Sequence, residues 1–265
     1  NFNIVGEEWV DDPAMISYWQ RGKVNPDGNN SCLPSLMDFP MTMNLHRALR
    51  DEEAWGEGLI RLYQTLSKDY HYPEPDNLVI FPDNHDMSRI LTQLNEDYDL
   101  FKMAISYILT MRGIPQIYYG TEILMANPGT DSHGVIRSDF PGGWSGDAVN
   151  AFSGDGLPAR ARATQEFLRT LLHWRRDAAV IHHGELIHYV PADGIYVYFR
   201  MLDGQTIMVI LNKNREETRL ELDRFRDQID DNRFGHDVAG KVSYELNDHM
   251  MVPARTALIL ELTNR

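Results

Sequence analysis

The sequence predicts an α/β fold in two parts, with strand–helix units over residues 1–180 and a small antiparallel β domain over residues 181–265. In the first part, short apolar segments alternate with helical stretches, which is typical of parallel βα units. From about His183 short strands follow one another closely, and Asp203-Gly204 separates two of them as in a β-hairpin. The 265 residues, 43% of them hydrophobic, suffice for both domains.

Each predicted element follows from a local pattern of apolar residues. The predicted strands of the first part are Phe2–Val5, Ser35–Phe39, Asn77–Phe81 and Gln116–Gly120, and its main predicted helices are Leu45–Ser67, Leu100–Met111 and Thr164–Arg175. The predicted strands of the second part are Gly184–Val190, Gly194–Arg200, Gln205–Asn212 and Thr256–Leu262. Four βα units could form a small open sheet or half of an eight-stranded barrel.

Composition excludes several classes of function. The formal net charge of −14 argues against nucleic acid and against an anionic membrane surface as partners. The sequence has no apolar stretch long enough to span a bilayer. Its one cysteine, Cys32, excludes a scaffold held by internal disulfides. These properties fit either the cytoplasm or the periplasm of a bacterium.

Acidic residues follow three of the predicted strands. Glu7 and Glu8 follow the first, Asp83-Asn84-His85-Asp86 follows the third, and Glu122 follows the fourth. In a barrel these strand ends converge on one pocket, where crowded carboxylates can keep one of them protonated. A protonated acid beside ionised carboxylates is what glycoside cleavage needs. Glu7 taken alone could equally belong to a helix-capping loop, and Glu122 is expected to be structural.

Four motifs resemble those of the α-amylase superfamily (glycoside hydrolase family 13). The segments, in the family's strand order five to eight, are Ile4–Glu7 with Trp9, Met37–Pro40, Phe81–Asp86, and Gly113–Pro115 with Tyr118–Glu122. The resemblance implies strands five to eight of a (β/α)₈ TIM barrel, followed by the family's antiparallel β-sandwich domain C. Val252–Arg255 with the apolar strand after it also resembles the end of that domain.

A further segment resembles one branch of the superfamily. His133-Gly134, Arg137-x-Asp139 through Trp144 and Asn150–Phe152 resemble the neopullulanase/cyclomaltodextrinase branch, whose members act on short or cyclic α-glucans. The resemblance therefore implies retaining hydrolysis of α-1,4-glucosidic bonds in maltooligosaccharides, cyclodextrins, pullulan or starch.

The resemblance assigns a role to each matched position. Glu7 matches the general acid/base, while Glu8 is expected to point elsewhere because successive strand side chains alternate. Asp86 matches the third carboxylate, which binds sugar hydroxyls and favours the distorted ring. His85 matches the histidine that contacts the sugar in the −1 subsite, and the flanking Asn84 is a further candidate for substrate binding.

Aromatic and acidic residues outside these motifs have two possible roles each. Trp9 and Trp144 could stack on glucose rings or could simply pack. The loop acids, namely Asp131, Asp139, Asp147 and Asp155, could hold calcium, but they lack the spacing of an EF-hand and are better explained as solvated loop residues. No cofactor is expected to be required, and calcium is possible in the parent enzyme.

A retaining mechanism also needs a carboxylate nucleophile. In the family this is an aspartate on the fourth strand, two residues after an arginine, and that strand would precede Asn1. Arg137-x-Asp139 lies in the loop after the eighth strand and is no replacement. The chain alone is therefore expected to be inactive, and to associate with the missing N-terminal half of the barrel or with a second copy of itself.

Three alternatives remain open at this point. The first is a glucanotransferase of the same superfamily, acting on the same α-glucans. The second is a non-catalytic amylase-like module that only binds, although retention of Glu7, His85 and Asp86 argues against it. The third is an independent protein in which the four βα units form their own sheet.

Overall fold

Four short parallel strands form the framework of the first part. The computed structural model describes residues 2–264, and Asn1 and Arg265 lie outside the described residues. The strands are β1 (Val5–Gly6), β2 (Ser35–Leu36), β3 (Val79–Ile80) and β4 (Ile114–Pro115). β1 pairs with β2 and β3 pairs with β4, both in parallel, and a parallel bridge from Met37 to Val79 joins the two pairs. The strand order therefore follows the chain, as in an arc of a parallel barrel.

Helices connect and cover these strands. They are α1 (Pro13–Ser17), α2 (Phe39–Arg50), α3 (Ile60–Leu66), α4 (Ile90–Gln93), α5 (Tyr98–Thr110), α6 (His133–Ile136) and α7 (Ala159–Asp177). Two further helices, α8 (Ala179–His183) and α9 (Arg226–Ile229), lead into the second part and lie within it, respectively. α2 begins at Phe39 because the Asp38 side chain caps it, accepting a hydrogen bond from the Met41 amide at 3.0 Å. Within the described residues, no helix has the length and apolar character needed to cross a membrane.

Two sequence-based assignments in the first part are wrong. The predicted strand Gln116–Gly120 is placed too late in the chain: the strand residues are Ile114 and Pro115 just before it, and Gln116 only adds one ladder hydrogen bond, to the Ile80 carbonyl. The predicted helix Leu45–Ser67 is two helices, α2 and α3. The break follows from extended backbone at Asp51 and from glycines at 56 and 58 with φ of +76° and +71°, which a right-handed helix does not tolerate.

The second part is an antiparallel β domain. Its strands are β5 (Glu185–His188), β6 (Ile195–Leu202), β7 (Gln205–Asn212), β8 (Thr218–Glu221), β9 (Phe234–Asp237), β10 (Ser243–Glu245), β11 (His249–Val252) and β12 (Thr256–Thr263). Six of them form one sheet in the order β10-β9-β12-β7-β6-β5, and β8 pairs with β11 as a separate ribbon. The predicted hairpin at Asp203-Gly204 is confirmed, because Leu202 pairs with Gln205 and both turn residues have positive φ.

The six-stranded sheet is buried on both faces. Alternate residues of β6 show this: Val197 and Phe199 belong to the core shared with β8, β11 and α9, whereas Tyr196 and Tyr198 belong to the core shared with α2, α5 and α7. The Tyr198 hydroxyl lies 2.5 Å from the Thr110 hydroxyl at the end of α5. The sheet thus joins the helices of the first part to the ribbon of the second.

One buried lysine also ties the β domain to the first part. Lys213, directly after β7, is 7% exposed, and its ammonium donates to the carbonyls of Ala48 at 2.9 Å and Asp51 at 2.6 Å. These carbonyls lie at the C-terminal end of α2, where a positive charge is favourable. Glu53 also forms an ion pair with the Lys213 ammonium.

Candidate active site

The carboxyl ends of the parallel strands lie along one edge of the arc. The ladder continues to this edge: the Met37 amide donates to the Gly6 carbonyl at 3.0 Å, and the Gln116 amide donates to the Ile80 carbonyl at 2.8 Å. Glu7 is the next residue after β1, and its side chain is exposed. The segment 81–86 leaves β3 at the same edge, because all four strands run in the same direction.

Helix α2 fixes the backbone of the segment that leaves β3. The Thr42 hydroxyl donates to the Phe81 carbonyl at 2.7 Å, and His46 Nε2 bonds to the Pro82 carbonyl. His46 is 5% exposed, and burial lowers its pKa to about 4, helped by the nearby charge of Arg50. A neutral ring that donates from Nε2 therefore holds this strand end at neutral pH.

The first two polar residues of the segment turn inward. Asp83 is fully buried, and its Oδ2 accepts a hydrogen bond from the Ile90 amide at 2.6 Å at the start of α4. Burial raises the pKa of Asp83 to about 7. Asn84 is 1% exposed, and its Oδ1 accepts from the Asp86 amide at 2.8 Å. This buried position favours a structural role for Asn84 and does not support direct contact with a sugar.

The next two residues, His85 and Asp86, face outward and meet each other. His85 Nε2 lies 3.1 Å from Asp86 Oδ2, with the His85 side chain 54% exposed and that of Asp86 29% exposed. The inward turn of Asp83 and Asn84 thus presents an imidazole and a carboxylate together at the edge where Glu7 also lies. Both side-chain types can hydrogen-bond to sugar hydroxyls.

Sequence reasoning missed two further residues of this cluster, Arg137 and His133. Arg137 forms an ion pair with Asp86 Oδ1 and donates from Nε to the His85 carbonyl at 3.0 Å. His133 Nδ1 lies 2.8 Å from Arg137 Nη2 and 3.8 Å from Asp86 Oδ1. Both residues belong to the segment that resembles one branch of the superfamily, and that resemblance was the only sequence signal pointing to them.

A buried arginine anchors the loop that carries this pair. Arg89, 1% exposed, donates from Nε and Nη2 to the Ile136 carbonyl at 3.0 and 2.7 Å, and it also bonds to the Tyr119 carbonyl. Its guanidinium lies 4.1 Å from the centre of the Tyr118 ring, a favourable cation–π distance. Arg89 therefore connects the segment after β3, the segment after β4 and the end of α6.

The two candidate tryptophans differ in their surroundings. Trp9 is 42% exposed and stacks on Phe39 with ring centres 4.7 Å apart and an interplanar angle of 26°. Trp9 thus packs against the buried Phe39 ring while a large part of the residue stays exposed to solvent. Trp144 is 68% exposed, and its backbone amide donates to Asp147 at 3.1 Å.

Three of the four loop acids accept hydrogen bonds from nearby protein groups. Asp131 accepts from the Ser88 hydroxyl at 2.7 Å, Asp147 accepts from the Gly142 amide at 2.7 Å, and Asp155 accepts from the Ser153 hydroxyl at 2.8 Å. Over residues 2–264, no group of three or more histidine, cysteine, aspartate or glutamate side chains comes together to hold a metal ion. Calcium binding by the parent enzyme stays a prediction.

Comparisons with known proteins match both parts of the chain. Residues 186–261 match the family model described as the cyclo-malto-dextrinase C-terminal domain. The cyclomaltodextrin glucanotransferase of Thermoanaerobacterium thermosulfurigenes is 26% identical over 201 residues, which are 74% of this chain and 25% of that protein. The α-amylase of Niallia circulans is 27% identical over 201 residues, which are 74% of this chain and 34% of that protein.

The chain is similar in sequence to proteins of the α-amylase family. Solved structures show the same fold: the α-amylase from Geobacillus thermoleovorans complexed with acarbose matches with a TM-score of 0.75 at 21% identity, covering 99% of this chain and 53% of that one. AmyP in complex with maltose matches with a TM-score of 0.76 at 17% identity, covering 98% and 55%. The chain thus has the fold of the C-terminal half of an α-amylase-family barrel followed by domain C, and it spans about half of these structures.

Proposed function

We propose that the protein containing this chain is a retaining enzyme that cleaves α-1,4-glucosidic bonds in α-glucans. The observation that carries the proposal is the segment after β3. It buries Asp83 and Asn84 and presents His85 and Asp86 at the strand edge that also carries Glu7. The names of the relatives, cyclomaltodextrin glucanotransferase and α-amylase, support the substrate class.

Each proposed role follows from the position of the side chain. Glu7 protonates the departing glycosidic oxygen and afterwards activates the attacking water. Asp86 and His85 bind hydroxyls of the sugar whose bond is cleaved, and the contact of Asp86 strengthens as the ring flattens towards the transition state. The exposed part of Trp9 and the exposed ring of Trp144 offer stacking surfaces for neighbouring glucose units.

The reaction also needs a nucleophilic carboxylate about 5 Å from the acid. The family resemblance assigns it to a strand that this chain does not contain. We therefore propose that the chain by itself does not hydrolyse α-glucans, and that it acts with the first half of the barrel. The formation of reducing sugar ends from maltooligosaccharides or cyclodextrins by the purified 30.5 kDa chain would contradict this.

The deciding experiment is the substitution Glu7→Gln in the complete protein. Loss of general acid catalysis should lower kcat by about three orders of magnitude, with the unfolding midpoint close to wild type because the side chain is exposed. Glu8→Gln is the matched control, since it changes the same charge one residue along the strand. A Glu7→Gln enzyme within a few-fold of wild type would remove Glu7 from the role of acid.

Two finer choices remain within this proposal. We propose short or cyclic α-glucans as substrates, on the resemblance of the segment 133–152 to the neopullulanase/cyclomaltodextrinase branch. The second candidate is glycosyl transfer, which the cyclomaltodextrin glucanotransferases among the relatives favour. Chromatography of the products from maltoheptaose separates the two, since hydrolysis shortens the chains and transfer also produces longer or cyclic ones.

A further inference from the structure

We infer that Arg137 is a positioning residue that orients Asp86, acting from the loop after β4. The inference rests on the proposed function, in which Asp86 binds the sugar at the cleavage site. Its basis is geometric: Asp86 has a partner at each carboxylate oxygen. His85 Nε2 lies 3.1 Å from Oδ2, while Arg137 forms an ion pair with Oδ1. The plane of the carboxylate is therefore fixed by two contacts from different segments.

The guanidinium of Arg137 holds the backbone as well as the carboxylate. Its Nε donates to the His85 carbonyl at 3.0 Å, while Nη2 contacts the Asp86 side chain. One planar fork thus spans the peptide and the side chain of consecutive residues. A lysine has a single ammonium and cannot reproduce this two-point contact.

His133 also contacts the guanidinium, at the same Nη2 that pairs with Asp86. Its Nδ1 lies 2.8 Å from Arg137 Nη2, and since arginine can only donate, Nδ1 must accept. His133 is the first residue of the short helix α6, and Arg137 directly follows its last residue. The Arg89 bonds to the Ile136 carbonyl hold this helix in place.

Exposure distinguishes positioning from stabilisation. The side chain of Arg137 is 44% exposed and that of Asp86 is 29% exposed, and ion pairs this accessible contribute little to folding free energy. The contact should therefore matter for the orientation of Asp86 and hardly at all for stability. A misplacement of about 1 Å in a binding group can lower turnover about 100-fold.

The test is a double-mutant cycle in the complete enzyme with a maltooligosaccharide as substrate. Arg137→Gln should lower kcat/KM about 100-fold, mostly through kcat, and Arg137→Lys should recover only a small part. In an Asp86→Asn background, Arg137→Gln should change the rate by less than about 2-fold, because a residue that acts only through Asp86 has nothing left to position. Arg219→Gln, which breaks the exposed pair with Glu221 at 2.6 Å, is the matched control and should match wild type.

Two outcomes would overturn the inference. Multiplicative losses in the double mutant would mean that Arg137 acts independently of Asp86, and an Arg137→Gln enzyme with wild-type rates would mean that it does not act. If the wild-type protein cleaves no α-glucan, the proposed function fails, and amide hydrogen exchange then tests the positioning alone. Arg137→Gln should speed exchange at residues 85–87 whereas Arg219→Gln should not; unchanged exchange would refute the role.

Discussion

Acidification should destabilise the fold through His46, the buried histidine that holds the end of β3. Burial lowers its pKa from 6.5 to about 4, so the unfolded chain takes up the proton before the folded one does. The contribution of the neutral His46 ring to the unfolding free energy is complete above pH 6.5 and is lost as the pH falls towards 4. Each pH unit in this interval removes about 1.4 kcal/mol of unfolding free energy, and the whole interval removes about 3 kcal/mol.

His46→Gln separates this contribution from those of the other titrating groups. Glutamine can still donate to the Pro82 carbonyl but does not titrate. Urea unfolding between pH 4 and 7.5 should show the wild type gaining about 3 kcal/mol on the variant across the interval, with a plateau above pH 6.5. His173→Gln, on an exposed surface of α7, is the control and should leave the pH dependence of wild type.

A constant difference between wild type and His46→Gln at every pH would refute the reasoning. It would mean that the imidazole is protonated as easily in the folded state as in the unfolded one. A stability advantage of wild type over His46→Gln that grows towards low pH would be equally damaging, because it would require a charged imidazole to be favoured by the fold.

Two further predictions concern other buried charged groups. Burial raises the pKa of Asp83 to about 7, so the unfolding free energy should fall by about 4 kcal/mol as the pH rises from 4 to 7. Asp83→Asn should remove this loss. A difference between variant and wild type that stays the same at every pH of the urea titration would contradict the prediction. Lys213→Met should cost about 1–3 kcal/mol, because the Ala48 and Asp51 carbonyls lose their buried donor. Lys68 is exposed, so the control Lys68→Met should leave the unfolding free energy from thermal unfolding almost unchanged. Equal losses for the two variants would disprove the stabilising role of the Lys213 contacts with α2.

The two pH effects have opposite signs within a few residues of the same strand end. Between pH 4 and 6.5 the loss at His46 on acidification is offset by the gain at Asp83. The wild-type protein should therefore show a shallower pH dependence than either variant. This is why each effect is measured as a difference between wild type and variant.

The sequence predicted the architecture because the patterns that set it are local. Alternation of apolar runs with helical spacing predicted the parallel strands, and Asp203-Gly204 predicted a hairpin that the structure confirms. The ribbon of β8 with β11 was not predicted. The β8 segment, Thr218–Glu221, has one apolar residue, Leu220, and pairs with residues about thirty positions later. Such pairing depends on tertiary contacts that a local pattern does not contain.

The candidate site was predictable in part for the same reason. The motif at 81–86 identified the right segment, but alternation could not show that Asn84 turns inward while His85 and Asp86 turn outward. That choice is made by the amide of Ile90, which Asp83 caps, and by the Asp86 amide, which Asn84 binds. Arg137 lies 51 residues from Asp86 along the chain, and no spacing rule connects them.

The double burial of the six-stranded sheet limits how this protein can be re-engineered. Here Tyr196 and Tyr198 pack on helices of the barrel part, and Lys213 caps α2. A graft cut before Glu185 would replace one side of these contacts and leave the other unmatched. Exchange of this domain should succeed only when the facing surfaces of α2, α5 and α7 are transplanted with it.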